Sequence, residues 1–201
     1  MSGPAVRSRL PELRRARDAA ERGRDVLEQK LELLRREWAR RRELRERASM
    51  VAESRLLEAV KAAREARIEV GRGAMTAAAL AQPKAPEIEW SWTRITGVRV
   101  PALRASARPF RALYGTGGTA ASLDTAAEAA GAALTALVAL AAEDAAAKAL
   151  RRATLKTLRR VNALDHAVLP QIRRDLREIA AALEEDERDE SIRRNAWLAM
   201  R

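Results

Sequence analysis

Residues 12–82, ELRRARDAAERGRDVLEQKLELLRREWARRRELRERASMVAESRLLEAVKAAREARIEVGRGAMTAAALAQ, contain no proline, and their glycines lie at positions 23, 71 and 73. Apolar residues recur there at intervals of three and four residues or their multiples, as on one face of an α-helix. This pattern predicts one very long helix with a coiled-coil seam, on the order of 100 Å at 1.5 Å per residue, that does not fold back on itself. Consecutive arginines at 40–42 interrupt the seam, where a shift of register is expected.

Helix-breaking residues then dominate residues 83–118, which no helix can cross. They are Pro83, Pro86, Pro101, Pro109, Gly97, Gly115, Gly117 and Gly118. Within this insertion, residues 87–100 (EIEWSWTRITGVRV) alternate apolar and polar side chains around a central Thr-Gly, which predicts a short β-hairpin. A short helix broken by Pro109 is expected over residues 103–114.

A second helical pattern fills residues 120–199, with Pro170 as its interior breaker and the expected place of a kink. The fold class predicted is all-α dominated: two very long helices in an antiparallel coiled coil, with a small central insertion holding a β-hairpin and a short helix. Three regions follow: a first helix over 5–80, an insertion over 83–118 at the distal end, and a second helix over 120–199. Both termini are expected together at the other end.

The composition favours a thin seam between helices over a thick core. Hydrophobic residues make up 47% of the chain but aromatic residues only 3%, and alanine, which buries little area, dominates residues 126–149. The formal net charge of +11 favours an acidic partner: nucleic acid, an anionic membrane surface or an acidic protein surface. No cysteine is present, and neither a transmembrane helix nor a secretory signal is expected.

Catalytic, cofactor and metal sites are not expected. The loop at 115–119 (GTGGT) lacks the Gly-Lys-Ser/Thr ending of a phosphate-binding loop and is interpreted as a flexible turn. His166 is the single histidine, so a packed or surface role is favoured over a metal ligand. The acidic run at 184–190 (EEDERDE) is interpreted as a solvated or partner-facing helix surface, because paired carboxylates need a cleft to become acid–base catalysts.

Two groups of side chains are candidates for contacts with a partner. An arginine cluster suits a nucleic-acid backbone or an acidic protein sleeve, although interspersed glutamates dilute its charge; its members are Arg35, Arg36, Arg40, Arg41, Arg42, Arg45 and Arg47. The aromatic residues of the insertion are predicted to form a miniature core or to anchor a docking surface. They are Trp90, Trp92, Phe110 and Tyr114.

The run TLRRVNAL at 157–164, followed by Leu169-Pro170, resembles a motif of the D subunit of the V-type and A-type rotary ATPases. The family's run continues with glutamate, where this chain has Asp165. Residues 95–101 (ITGVRVP) are similar to the family's Gly-Val-x-x-Pro element, and residues 13–34 and 182–190 are similar to its end segments. Alanine replaces larger residues over 126–149, and Ser191-Ile192 stands where the family tends to have aromatics. The motif residues are Arg159, Arg160, Val161, Asn162, Ala163, Leu164, Pro170, Gly97, Val98 and Pro101.

The resemblance implies a central rotor-stalk subunit that has no catalytic site and transmits torque. It implies coupling of proton or sodium transport through a membrane ring to ATP synthesis or hydrolysis in a hexamer. The implied partners are the A and B subunits of that hexamer around the paired helix ends, a small F subunit of the stalk beside the shaft, and a socket subunit (C/d) above the membrane ring. The implied location is peripheral, on the cytoplasmic face of the membrane.

Two hypotheses concern particular residues. The arginine cluster forms part of a bearing surface that faces the hexamer or the small F subunit. Asn162 is a polar residue in the seam that fixes the register of the two helices. The alternative to the shaft is a basic coiled-coil scaffold that binds nucleic acid or bridges proteins. That interpretation does not predict the Arg-Arg-Val-Asn-Ala-Leu run.

Overall fold

The computed structural model describes residues 3–81, 88–105 and 121–200. Helix α1 spans Gly3–Ala81, strands β1 and β2 span Ile88–Ile95 and Val98–Ala105, and α2 spans Ala121–Ala163. A π-helical turn over Leu164–Val168 leads into α3, Leu169–Ala199. The prediction of a mostly helical chain with one small antiparallel hairpin is confirmed. Residues 103–105 of the predicted short helix continue β2 instead; its remainder, Phe110, Tyr114 and the 115–119 loop lie outside the described residues.

The backbone of α1 breaks at Gly71, whose φ of 79° and ψ of 166° lie outside the helical region. One groove is lined both by Val60 and by Leu80, and these residues would lie about 30 Å apart in a straight helix. The chain therefore turns back at Gly71, and the prediction of a helix that does not fold back is wrong there. Glycine suits this position because the Cβ atom of any other residue would be strained in this backbone conformation.

Residues Met1–Leu33 and Thr154–Arg201 form one compact unit. Its buried side chains include Leu31, Val161 and Leu169. Two ion pairs join α1 to the later helical segments within this unit: Glu21 with Arg173 at 3.2 Å and Arg24 with Asp165 at 3.7 Å.

Residues Leu34–Ala153 form the second unit, which holds the hairpin and two apolar clusters. One cluster joins the last turns of α1 before and after Gly71 to the start of α2; its buried members are Ala62, Ala66, Ala78, Leu123 and Ala126. The other joins the hairpin to both helices through Leu34, Val100, Ala146 and Leu150.

Alanine supplies about half of the buried apolar residues, as the composition suggested. Of the seventeen buried apolar residues in the described part of the chain, nine are alanine. Small side chains let helix backbones approach closely but contribute little apolar area each, at roughly 25 cal/mol per Å². The few large buried side chains, among them Leu34 and Leu150, both 0% exposed, therefore carry a large share of the packing energy.

The hairpin turns through Thr96 and Gly97, whose φ angles are 50° and 75°. Positive φ at both central residues is the type I′ geometry that suits a two-residue hairpin loop. Ile95 pairs with Val98 directly beside the turn, and this pair fixes the register of all later pairs between β1 and β2. Side chains alternate between the two faces, so Ile95, Val98 and Val100 share one face, which packs against the helices.

The helical chain continues through Pro170, with the π turn placed just before it. The Leu169 N–H donates to the Leu164 carbonyl, five residues back. A proline ring clashes with the carbonyl four residues earlier in a regular α-helix, and the wider π turn relieves this clash. The predicted kink at Pro170 is thus a local π turn between α2 and α3.

One helical stretch, within Ala121–Ala199, is long and apolar enough to cross a membrane by length and composition. This finding qualifies the expectation of no such helix. Alanine explains the difference, because it raises hydropathy while adding little apolar area. Only 17% of that stretch is buried within the chain itself.

Candidate docking surfaces

The motif residues 159–170 lie across the junction of α2, the π turn and α3. Val161 and Leu169 are buried at 5% and 2% exposure. Leu164, Asp165 and Pro170 are half-buried, and the rest of the run faces solvent. The exposed motif residues are Arg159, Arg160, Asn162 and Ala163.

The placement of Asn162 corrects the hypothesis that it lies in the seam. The buried positions of this stretch are Thr154, Thr157 and Val161, at intervals of three and four residues, and Asn162 is exposed beside them. The polar residues of the seam are therefore threonines. A buried threonine hydroxyl in a helix commonly bonds a backbone carbonyl of the previous turn.

Asp165 stands in the π turn at the acidic position that follows the motif. Its Oδ1 lies 3.7 Å from Nη1 of Arg24. Arg24 also donates two hydrogen bonds to Asp25 Oδ1, at 2.7 Å and 3.1 Å. The Asp165 carboxylate thus links the π turn to α1. His166 is exposed in the same turn, and no three His, Cys, Asp or Glu side chains in the described ranges lie close enough to hold a metal ion.

The arginine cluster divides into side chains engaged within the chain and side chains open to solvent. Arg41 Nη1 donates to both carboxylate oxygens of Glu143 at 2.9 Å, and Arg45 Nε lies 3.1 Å from Asp144. Arg42 pairs with Glu46 on its own helix at 3.3 Å, and Arg36 also has a partner. The exposed members that form no ion pair with any described residue are Arg35, Arg40 and Arg47.

Asp144 is the electrostatic centre of the engaged group. Lys148 Nζ lies 2.6 Å from its second carboxylate oxygen, Oδ2. The hydrogen bond from Lys148 holds the pKa of Asp144 below its usual value; partial burial opposes this lowering, and the charges of Lys148 and Arg45 reinforce it. The side chain of Asp144 therefore remains ionised at neutral pH and binds Arg45 of α1.

The outward face of the hairpin carries the aromatic residues. Trp90 and Trp92 are 66% and 53% exposed, which does not fit the predicted miniature core. They lie on the same face, opposite Leu103 and Pro101, and the Arg99 guanidinium lies 4.4 Å from the Trp92 ring centroid. We call this surface, with the exposed Ile88, the tryptophan face.

The other motif element, Gly97-Val98-Arg99-Val100-Pro101, shapes the hairpin. Gly97 supplies a positive φ in the turn, and Val98 packs beside buried Val100. Pro101 pairs with Trp92, three pairs from the turn. In a two-residue hairpin that pair exchanges no backbone hydrogen bonds, so the missing N–H of proline is tolerated.

The end of α3 presents a further exposed surface. The large apolar residues there, which are Ile192, Trp197 and Leu198 within the helix and Met200 just after it, are between 57% and 87% exposed. The acidic run before them is mostly exposed, with Arg188 lying 3.7 Å from Glu185 one turn away. Both features suit a helix end that meets another protein.

A groove at the Gly71 turn was not predicted from the sequence. We call it the reversal groove; it has a volume of about 560 Å³ and lies between the segments on either side of Gly71. Its lining residues are Val60, Ala63, Arg64, Arg67, Arg72, Met75, Thr76, Ala79 and Leu80. The available signal was the Gly-Arg-Gly at 71–73, which interrupts an otherwise helical pattern.

Comparison with known proteins assigns the family. The sequence matches the family of ATP synthase D subunits over residues 9–197. The chain belongs to this family. It is 32% identical over 199 residues to the A-type ATP synthase D subunit of Pyrococcus furiosus, covering 94% of this chain and 89% of that protein. A relative of the same name from Halobacterium salinarum is 33% identical over 191 residues, covering 94% and 85%.

A third relative, the A-type ATP synthase D subunit of Methanosphaera stadtmanae, is 33% identical over 140 residues, covering 68% of this chain and 65% of that protein. The resemblance drawn from the motif at 157–170 is thereby confirmed. As a family member, the chain is one component of a rotary ATPase and works in complex with other subunits at a membrane. The surfaces described above are its candidate contacts.

Proposed function

We propose that the chain is the central shaft of the complex and transmits torque between the membrane ring and the catalytic hexamer. The observation that carries this proposal is the set of ion pairs from α1 to the later helices within each unit. In the first unit Glu21 pairs with Arg173 and Arg24 with Asp165. Residue numbers rise along α1 while those of the partners fall, which favours antiparallel helices.

An antiparallel coiled coil follows as part of the proposal. In the second unit, Leu34 clusters with Ala146 and Leu150, and Ala62 and Ala66 cluster with Leu123. Apolar contacts of this order, reinforced by Arg41 with Glu143, resist sliding and untwisting of one helix against the other. A shaft needs this stiffness, because torque is lost if the helices slip.

The proposed mechanism is a bias of conformational states by contact energy. A two-helix shaft presents a different surface in each direction, so each orientation favours a different conformation of the surrounding catalytic sites. Rotation driven by proton or sodium flow would impose those conformations in turn and drive ATP synthesis, and ATP hydrolysis would drive the reverse. The chain itself performs no chemistry in this proposal.

Each proposed partner is assigned to a surface. The hexamer of A and B subunits surrounds the paired helix ends, supported by the exposed apolar residues at the end of α3. The small F subunit binds beside the shaft, for which the tryptophan face is the proposed contact. The socket subunit (C/d) receives the part of residues 83–118 that lies outside the tryptophan face; we delimit this region between helical regions at 5–80 and 120–199.

The arginine cluster is proposed as a bearing surface only through its open members Arg35, Arg40 and Arg47, because Arg41 and Arg45 bind carboxylates of α2. The apolar stretch within Ala121–Ala199 is proposed to face protein, since Glu143, Asp144 and Lys148 lie in the same helix and pair within the chain. We place the complex's stalk on the cytoplasmic face of the membrane.

Rotation of the assembled complex tests the shaft. The chain has no cysteine, so Ser91→Cys, at an exposed position of β1 away from the tryptophan face, can be biotinylated specifically and attached to a bead. With the A and B hexamer immobilised, ATP should drive one-way rotation of the bead, and ATP removal should stop it. A bead that stays still while the hexamer hydrolyses ATP contradicts torque transmission.

A further inference from the structure

The reversal groove is an open, partly apolar channel between two helical segments. Val60 lines it from the segment before Gly71, and Met75 and Leu80 line it from the segment after Gly71. Leu80 is 81% exposed and Val60 43%. Large apolar side chains left in water beside a concave surface mark a site of interaction, because covering them removes apolar area from solvent.

Three arginines give the groove its charge. Arg64, Arg67 and Arg72 line it, and none of its lining residues is acidic. All three are exposed and form no ion pair with any residue in the described ranges. The occupant that complements this surface is therefore both apolar and acidic.

The chain's own neighbouring segments do not supply that chemistry. Residues 106–120 contain two arginines and no acidic residue, and residues 82–87 contain one lysine and one glutamate. Covering the groove with either segment would leave at least two of its positive charges without a counter-charge. Neither neighbouring segment therefore supplies the acidic complement of the groove.

We infer that the reversal groove receives an acidic amphipathic helix from another subunit of the complex. Two helical segments on either side of a channel form the usual acceptor for a third helix, which inserts its apolar face between them. Glutamates or aspartates along the edges of the entering helix would meet Arg64, Arg67 and Arg72. This inference rests on the proposed function, since it takes the chain to be assembled with its partners.

Cross-linking in the assembled complex tests the inference directly. Photoreactive benzoylphenylalanine replaces Leu80 within the groove or, as control, Val51, an exposed apolar residue of α1 that does not line it. The Leu80 position should cross-link to a helix of another subunit that is rich in acidic residues, and Val51 should not. A Leu80 product within the chain itself, a product on a segment without acidic residues, or no product overturns the inference.

Charge reversal provides the second measurement. Arg64→Glu, Arg67→Glu and Arg72→Glu together should lower binding to the cross-linked subunit by about tenfold or more, because like charges then face each other. The control Arg151→Glu, Arg152→Glu and Lys156→Glu makes the same change of charge at exposed positions of α2, outside the groove and outside the helix ends assigned to the hexamer. Far-UV circular dichroism verifies that both variants fold.

Equal binding by the groove variant and its control rejects the inference. Conversely, restored binding when the acidic residues of the partner helix are changed to lysine supports it. These measurements are made on complexes that the chain has already entered, so they can fail while bead rotation persists. Failure of the shaft function shows separately, as loss of that rotation.

Discussion

At the residue scale, Gly71 determines where the first helix breaks and the chain turns back. Its φ and ψ of 79° and 166° lie in a region that is essentially restricted to glycine and costs other residues about 1–3 kcal/mol. We expect Gly71→Ala to lower the free energy of unfolding by that amount in urea titrations followed by circular dichroism. Apart from the adjacent backbone, no atom of the described residues lies within 4 Å of a Cβ added at Gly71 or at Gly73, so a clash cannot explain the loss.

Gly73→Ala is the matched control, two residues away. Its φ is not positive, and the added methyl meets open space. Alanine in a helix is favoured over glycine by about 1 kcal/mol, so this variant should be as stable as the wild type or more stable. Equal responses of the two variants would show that the turn does not depend on the conformation of Gly71.

A second prediction at this scale concerns the ion pair of Arg41 with Glu143. Both side chains are less than a third exposed, at 28% and 25%, and one guanidinium nitrogen contacts both carboxylate oxygens. A double-mutant cycle with Arg41→Ala and Glu143→Ala should give a coupling energy of about 1 kcal/mol. The exposed pair of Arg42 and Glu46 should give only about 0.3–0.5 kcal/mol; a larger value for that pair would contradict the role assigned to burial.

At the scale of elements, the two faces of the hairpin should respond in opposite ways to substitution. Val100 is 2% exposed, so Val100→Ala removes buried methyl groups and should lower the free energy of unfolding by about 2 kcal/mol. Trp90 is 66% exposed, and Trp90→Ser should change it by less than about 0.5 kcal/mol while weakening capture of the small F subunit. Thermal unfolding and co-purification measure the two effects.

The opposite result would reassign the faces. If Trp90→Ser destabilises the isolated chain as much as Val100→Ala does, the tryptophans form a core within the chain. If it leaves both stability and co-purification unchanged, the tryptophan face is not the contact with the small F subunit.

The hairpin was predictable because its determinants are local. Thr96-Gly97 supplies the turn, and the alternation beside it sets the faces. The packing of Val100 beside Leu34 is a contact over a long sequence separation, and no local pattern specifies it. The π turn was not predicted. It arises from a shift of hydrogen bonds one turn before Pro170, and no amino-acid pattern in the sequence marks it.

The candidate surfaces were predictable to a different degree. The motif at 157–170 was sufficient to indicate the family, since its residue order is unusual among helical sequences. The partition of the arginine cluster was not predictable, because Glu143 and Asp144 lie about a hundred positions further along the chain and only the fold brings them to Arg41 and Arg45. The exposure of Asn162 depends on the register of the helices in the same way.

At the scale of the whole molecule, a shaft has two requirements: it must hold together, and it must transmit force to its surroundings. In the proposed function, these requirements fall to different arginines of one cluster. Arg41 and Arg45 bind carboxylates of α2 and contribute to internal cohesion. Arg35, Arg40 and Arg47 have no partner among the described residues and are available to other subunits.

Two variants, each with three arginines replaced, distinguish these requirements. Replacing Arg35, Arg40 and Arg47 by glutamine should leave the unfolding midpoint of the isolated chain within the effect of ordinary surface substitutions, about 0.5 kcal/mol, yet reduce ATP-driven ion pumping by reconstituted complexes. Replacing Arg41, Arg42 and Arg45 by glutamine removes the same number of charges. This second variant should instead lower the free energy of unfolding by about 1–2 kcal/mol. Normal pumping by the first variant would remove the open arginines from the bearing surface, since loss of three positive charges at a true contact cannot leave coupling unchanged.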